Sequence, residues 1–185
     1  LFGSFLAPYD PLKVNYDFSL QPPSFLHIFG TDKLGRDVFS RILCGAKTSF
    51  GLTFLMLFLI VFIGMIVGLI AGLSNDKVES FFNNIINGLL AFPDTIFAIA
   101  IVGIVGAGLF NTVFALALIW WTKYARLTLA LVKQEKKKNY LVISKMSGVP
   151  PLQRIIRYLL PNILSQILVT AFLDIGNMMI SLAGL

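Results

Sequence analysis

The clearest feature of the chain is a run without a single charged residue from Phe50 to Leu73. A hydrocarbon core of about 30 Å needs roughly 20 helical residues, so this run is long enough to cross a bilayer. Gly64, Gly68 and Gly72 recur within it at every fourth position. That spacing puts three glycines on one helix face and predicts the close approach of a second helix there. A polar break over 74–80 separates this span from residues 81–107, which Asn83, Asn84, Asn87 and the pair Pro93-Asp94 make less uniform. The pattern predicts an amphipathic stretch at the interface, a kink near Pro93 with Asp94 as a local cap, and a true span from Thr95 to about Ala107. A short turn over 106–111 leads to Thr112–Trp121, the start of another span. Trp120 and Trp121 read as interfacial anchors, with the helix running on into water through Lys123 and Arg126. The last apolar run, Leu159 to Leu185, is interrupted by Pro161 near its start and by Asp174 in its middle.

Ahead of these elements, residues 1–7 read as the last turns of a truncated span. Residues 8–47 are mixed in polarity, and Pro8, Pro11, Pro22 and Pro23 forbid one long helix there. A short amphipathic stretch covers Arg36–Leu43, and the whole segment is placed at or outside the membrane surface. The organisation expected is all-α and polytopic, with three clear spans and both ends reading as cut. Residues 1–49 form the end of a first span plus an external segment. Residues 50–185 form a transmembrane domain, incomplete at its C-terminus, that carries a loop at 122–158.

Composition narrows the class further. Of 185 residues, 57% are hydrophobic and 13% charged, with a mean hydropathy of +0.83. A soluble domain carries about 25% charged residues, so there is too little polar side chain here to cover a water-soluble particle. The single Cys44 excludes an intramolecular disulfide framework and a cysteine-rich zinc site. The single His27 leaves nothing for a histidine metal site or a Ser/His/Asp triad, and clustered carboxylates are absent as well, which argues against a membrane enzyme. Asp174 stands out as the one charge deep in a span. An aspartate near a helix centre costs roughly 2.5–3.5 kcal/mol on insertion scales, so it is expected to turn away from lipid. Asn177 lies three positions on, on the same face. The pair either lines a pathway or hydrogen-bonds a neighbouring helix.

Charge placement sets the orientation. Residues 122–158 hold nine basic side chains against the single Glu135, a net of +8, whereas 8–49 carries a net of +1. The 122–158 loop is therefore expected in the cytoplasm and the 8–49 segment outside. The cluster Lys136-Lys137-Lys138 is accounted for by this topology and by contact with anionic membrane lipid. No base-reading module accompanies it, so nucleic acid is not an expected partner. A loop of about 37 residues is a functional element or a small folded unit. Asn139 to Ser147 reads as a short helix, Gly148 as the left-handed residue beyond its end, and Pro150-Pro151 as the start of a second helix. In that second helix Leu152, Ile155, Ile156 and Leu159 form one apolar stripe.

Here the chain resembles a known family. Tyr140 to Gly148, followed by Tyr158-Leu-Leu-Pro161-Asn162, looks like the EAA loop of ABC importer permeases. Gly148, Arg157, Pro161 and Asn162 fit, whereas Val142, Ile143 and Ser144 replace the usual acid and two alanines, and Tyr158 replaces a histidine. The segments Ala7-Pro8-Tyr9-Asp10-Pro11 and Phe29-Gly30-Thr31-Asp32-Lys33-Leu34-Gly35-Arg36-Asp37-Val38-Phe39-Ser40-Arg41 resemble a hallmark of the C-type permeases of dipeptide, oligopeptide and nickel importers. Ala91-Phe92-Pro93 and Tyr124-Ala125-Arg126 fit the same group. The resemblance implies a type I ABC importer permease fold in the cell membrane and a heterodimer with a second permease subunit. It also implies cytosolic ATP-binding subunits and an external substrate-binding protein. ATP would be used by the partner subunits, and no cofactor or metal is expected on this chain, which has no Gly-rich phosphate loop ending in Gly-Lys-Ser/Thr. Tyr140, Ser144, Lys145, Ser147, Gly148, Pro150, Pro151, Arg157 and Pro161 are the implied ATPase-coupling residues. The competing reading is an ATP-independent channel or secondary transporter, and the cargo is left open among dipeptides, oligopeptides, nickel and metal chelates.

Overall fold

A computed structural model describes residues 7–184, so the expected remnant of an earlier span falls almost wholly outside the described residues. Among the described residues no strand forms, and a lone antiparallel bridge joins Thr31 to Asp37. After a 3-10 turn at Tyr16–Phe18 come six helices. They are α1 (Val38–Leu73), α2 (Asp76–Leu90), α3 (Asp94–Val105), α4 (Leu109–Lys136), α5 (Asn139–Met146) and α6 (Pro151–Gly184). Helices α1, α4 and α6 are each long and apolar enough to cross a membrane. The chain divides into two compact units at Phe54, within the continuous helix α1.

Helix α1 differs from expectation. The amphipathic stretch at 36–43 and the span at 50–73 are a single 36-residue helix, roughly 54 Å long. Asp37 explains its early start, because a carboxylate oxygen of this residue accepts from Ser40 N at 2.8 Å and so occupies a backbone donor that a helix start leaves free. The helix exceeds the bilayer core, and Arg41 and Lys47 lie on the excess turns.

The kink expected at Pro93 is a break. Helices α2 and α3 meet at 82°. Pro93 supplies no N–H and sits at ψ 124, an extended value that stops α2 and lets α3 restart at Asp94. With 12 residues, α3 ends at Val105 rather than near Ala107. At roughly 18 Å it is too short to span alone. Asp94 accepts from Thr95 N at 2.8 Å, but it is the first residue of α3 rather than its expected cap, a position that Pro93 takes without a side-chain hydrogen bond.

Helix α4 is the hub. It packs against α2, α3 and α6, and 56% of its most apolar stretch is buried, against 33% for α1 and 28% for α6. It also touches α1 through the predicted glycine face. A methyl group on Gly64 would meet the Trp121 carbonyl and Tyr124, one on Gly68 would meet Ala125 and Thr128, and one on Gly72 would meet Val132. Since 64–72 lies inside the charge-free run of α1, residues 121–132 of α4 stand at the same depth, within the membrane.

The structure differs from expectation here in two ways. Helix α4 runs unbroken from Trp121 to Lys136, with Ala125, Leu129 and Val132 buried. Of the expected loop at 122–158, only 137–150 lies outside the long helices, and α5 occupies most of it. Trp120 is a buried residue in the bundle rather than an interfacial anchor, and Trp121 donates its indole N–H to the Leu118 carbonyl at 2.9 Å. Polar side chains hold α2 antiparallel beside α4. Lys133 pairs with Glu79 at one end and Arg126 donates to Asn87 further along.

Candidate functional site

The Gly-Thr-Asp and Gly-Arg-Asp residues form a knot of internal hydrogen bonds ahead of α1. Asp32 accepts from the backbone N–H groups of Leu34 (2.9 Å) and Arg36 (3.0 Å), and pairs with the Arg36 and Arg41 guanidinium groups. The Arg36 guanidinium, helped by these backbone donors, holds the Asp32 carboxyl well below the usual carboxylate range. Asp37 is nearly inaccessible. Burial pushes its pKa up, but bonds from Ser40 and from His27 (2.9 Å) outweigh that and leave it lowered. Thr31 donates to the Phe18 carbonyl and accepts from Gln21 N at 2.9 Å. Gly30 and Gly35 both have φ near +70°, and a Cβ on Gly35 would stand 1.7 Å from the Asn15 carbonyl oxygen, so no other residue fits there.

Deeper in the helical unit, Asp174 finds its partner on α4. Both carboxylate oxygens accept from Lys123 Nζ, at 2.8 and 2.7 Å, and Oδ2 also accepts from the Tyr124 hydroxyl at 2.9 Å. Asp174 is buried, whereas the Lys123 side chain is half exposed. A cavity of about 430 Å³ opens beside this pair. Its lining includes Asp94 and Phe92 from the α2–α3 break, Trp120, Lys123, Asp174 and Asn177. Broken backbone at membrane depth is tolerated where it is buried in protein or lines a cavity, and here it borders one. The predicted pair Asp174 and Asn177 thus shares a wall.

The third cluster lies where α4 ends. Glu135, counted in the sequence only as one charge against nine, is almost fully buried. It accepts from Lys138 Nζ at 2.6 Å and from the Tyr140 hydroxyl. Burial and the adjacent Glu135 carboxylate push the Tyr140 hydroxyl up to about 12, so it remains a donor. This contact pins α5 to the end of α4. Helix α5 then closes as the sequence predicts. Gly148 takes φ +73, with Gly148 N bonded to the Lys145 carbonyl and Val149 N to the Ser144 carbonyl. Pro151 starts α6 with Pro150 as its cap. Ser144 is buried, while Ile143 and Met146 are 60% and 82% exposed.

The second predicted helix is not separate, because it runs straight into the final span. Residues Ile155–Leu159 form a π turn. Pro161 lacks an N–H, and its ring crowds the Arg157 carbonyl. A widened turn just before a proline relieves that conflict. The π turn also splits the expected stripe, leaving Leu152 and Ile156 exposed and Leu159 buried. Arg157 is exposed and Lys145 lines a second cavity of about 540 Å³ with Lys136 and Arg154.

In the sequence Lys123 reads only as a residue entering water, Tyr124 only as part of a family motif and Glu135 only as one charge, and none of them is matched there with these partners. The available signal was the stripe Ala125, Leu129, Val132, which keeps α4 embedded beyond Lys123 and so makes that lysine the natural counter-ion of Asp174. Among the described residues no group of three His, Cys, Asp or Glu side chains is placed to hold a metal ion.

Three helices long and apolar enough to cross a membrane, with a broken pair bordering a cavity that Lys123 and Asp174 line, define an integral membrane protein. Residues 64–185 match the family of binding-protein-dependent transport system inner membrane components, and the chain belongs to that family. Over its whole length it is 37% identical to the di/tripeptide transport system permease protein DppC of Pseudomonas aeruginosa (strain UCBPP-PA14), covering 63% of that protein. It is 34% identical to the nickel transport system permease protein NikC of Escherichia coli (strain K12), covering 67%. It is 31% identical to the dipeptide transport system permease protein DppC of Haemophilus influenzae, covering 65%. The chain thus spans about two thirds of the length of these relatives.

Proposed function

We propose that this chain is a permease subunit of an ATP-driven importer, forming part of the path for dipeptides, oligopeptides or nickel across the cell membrane. ATP hydrolysis belongs to separate cytosolic subunits, a second permease completes the path, and an external binding protein delivers the cargo. The observation that carries this reading is the match along the entire chain to peptide and nickel permeases. Exposed Ile143 and Met146 on α5 and Leu152 at the start of α6 support it, since no other described residue covers these apolar side chains. The element 139–157 would dock on an ATPase subunit, and movement of that subunit on binding ATP would reach the spans through the rigid join of α5 to α4 at Glu135. In this reading the basic end of the bundle faces the cytoplasm.

The test is ATP-dependent uptake in reconstituted vesicles containing the complete transporter. Gly148→Val places a β-branched side chain at a left-handed residue, at a cost of about 1 kcal/mol or more. Uptake should fall while insertion and abundance persist. Undiminished uptake by Gly148→Val, or wild-type uptake that needs no ATP, would count against the reading.

A further inference from the structure

The cavity at the α2–α3 break displays its charges unequally. Asp174 is buried behind Lys123, with three hydrogen bonds already directed at its carboxylate. The lysine is half exposed and lines the cavity itself. An ammonium has three donors, so one remains after two are directed at Asp174. The wall therefore carries a held cation with a free donor, suited to an incoming anion. On the same cavity stands Asp94, exposed, with one oxygen taken by Thr95 N and the other free for a cation. A bare divalent metal ion entering here would meet the Lys123 ammonium.

We propose that Lys123 is a specificity-determining residue of the translocation path, receiving the free carboxylate of a small zwitterionic cargo of the peptide type. Asp174 and Tyr124 are its positioning residues. They hold the ammonium at the cavity edge at mid-membrane depth, where an unpaired lysine would otherwise give up its charge or turn away. Asp94 supplies the opposite charge for the ammonium end of the same cargo. This assignment rests on the importer reading and narrows its open choice of cargo.

The decisive variant removes both charges together, Lys123→Met with Asp174→Leu. Replacing a buried ion pair with apolar residues of similar volume is often neutral for folding, so the complex should assemble. With the complete transporter in vesicles, uptake of a radiolabelled dipeptide and of radiolabelled nickel is measured alongside ATP turnover. The expected result is wild-type dipeptide uptake that falls about tenfold in the double variant, as for a lost charge-assisted hydrogen bond. ATP turnover should be retained, and Lys123→Arg should keep most of the uptake. Undiminished dipeptide uptake by the assembled double variant would reduce the pair to a structural one and overturn the proposal alone. Wild-type transport of nickel without dipeptide would do the same. No ATP-dependent uptake of either cargo by wild type would remove the importer reading, and this proposal with it.

Discussion

The two motif-bearing regions, residues 30–41 and residues 139–157, use their side chains in opposite ways. In the first, Thr31, Asp32 and Asp37 direct their oxygens at donors within residues 21–41, and Gly30 and Gly35 sit where no side chain fits. In the second, Glu135 fastens α5 to α4 through Lys138 and Tyr140, and the apolar groups Ile143, Met146 and Leu152 stay exposed. A hallmark of the first kind is explained by its own folding. A hallmark of the second kind leaves apolar side chains exposed, which in the proposed reading dock on another subunit.

Substitutions can break that contrast, and the largest effect is expected at Gly35. Gly35→Val combines a positive φ with a backbone clash, together about 3 kcal/mol or more. The 8–37 segment should become sensitive to limited proteolysis, and resistance equal to wild type would show that the knot is not self-sustaining. Next comes Glu135→Gln, which leaves Lys138 and Tyr140 with a weaker acceptor at a buried site, at about 2 kcal/mol. Hydrogen exchange over 137–147 should rise while the long helices keep their protection. Uniform loss of protection would mean that Glu135 supports the whole bundle rather than the α5 join. Met146→Ser lies at the other extreme. Since the residue is 82% exposed, thermal stability of the isolated chain should move by no more than about 0.5 kcal/mol, yet co-purification with the ATPase subunits should weaken. A large drop in stability would place Met146 inside the chain's own packing.

Acid should separate the two regions as well, with the smallest effect. The Asp32 and Asp37 carboxyls are depressed in the folded state, so the stability they lend is present above their unfolded values of about 3.9. It is lost as pH falls below that value towards the folded one. Between pH 7 and 5 the 8–37 segment should be unchanged, and below about pH 4 it should open first, read by proteolysis or by tyrosine fluorescence. Opening near pH 6 would assign control to another group.

Much of this was legible in the sequence because it follows from local rules. The charge-free run fixed α1's span, the four-residue glycine spacing named the face that meets α4, and Gly148 with Pro150-Pro151 marked the turn between α5 and α6. What escaped was set by depth and by contacts distant in sequence. Charged residues suggest the end of a span, yet Lys123 lies within the continuous helix α4 and pairs with Asp174, 51 positions away. Likewise Pro93 announced a bend, but its 82° size depends on what α2 and α3 pack against. The π turn at 155–159 shifts an apolar stripe that a 3.6-residue period would keep in line.

The proposed coupling of the element 139–157 to an ATPase is tested by a photo-crosslinking residue at Met146 in the complete transporter. The predicted adduct joins this chain to an ATPase subunit, and its yield changes when ATP is added. An adduct to lipid alone, or one to the ATPase that ignores ATP while uptake proceeds, would contradict the account.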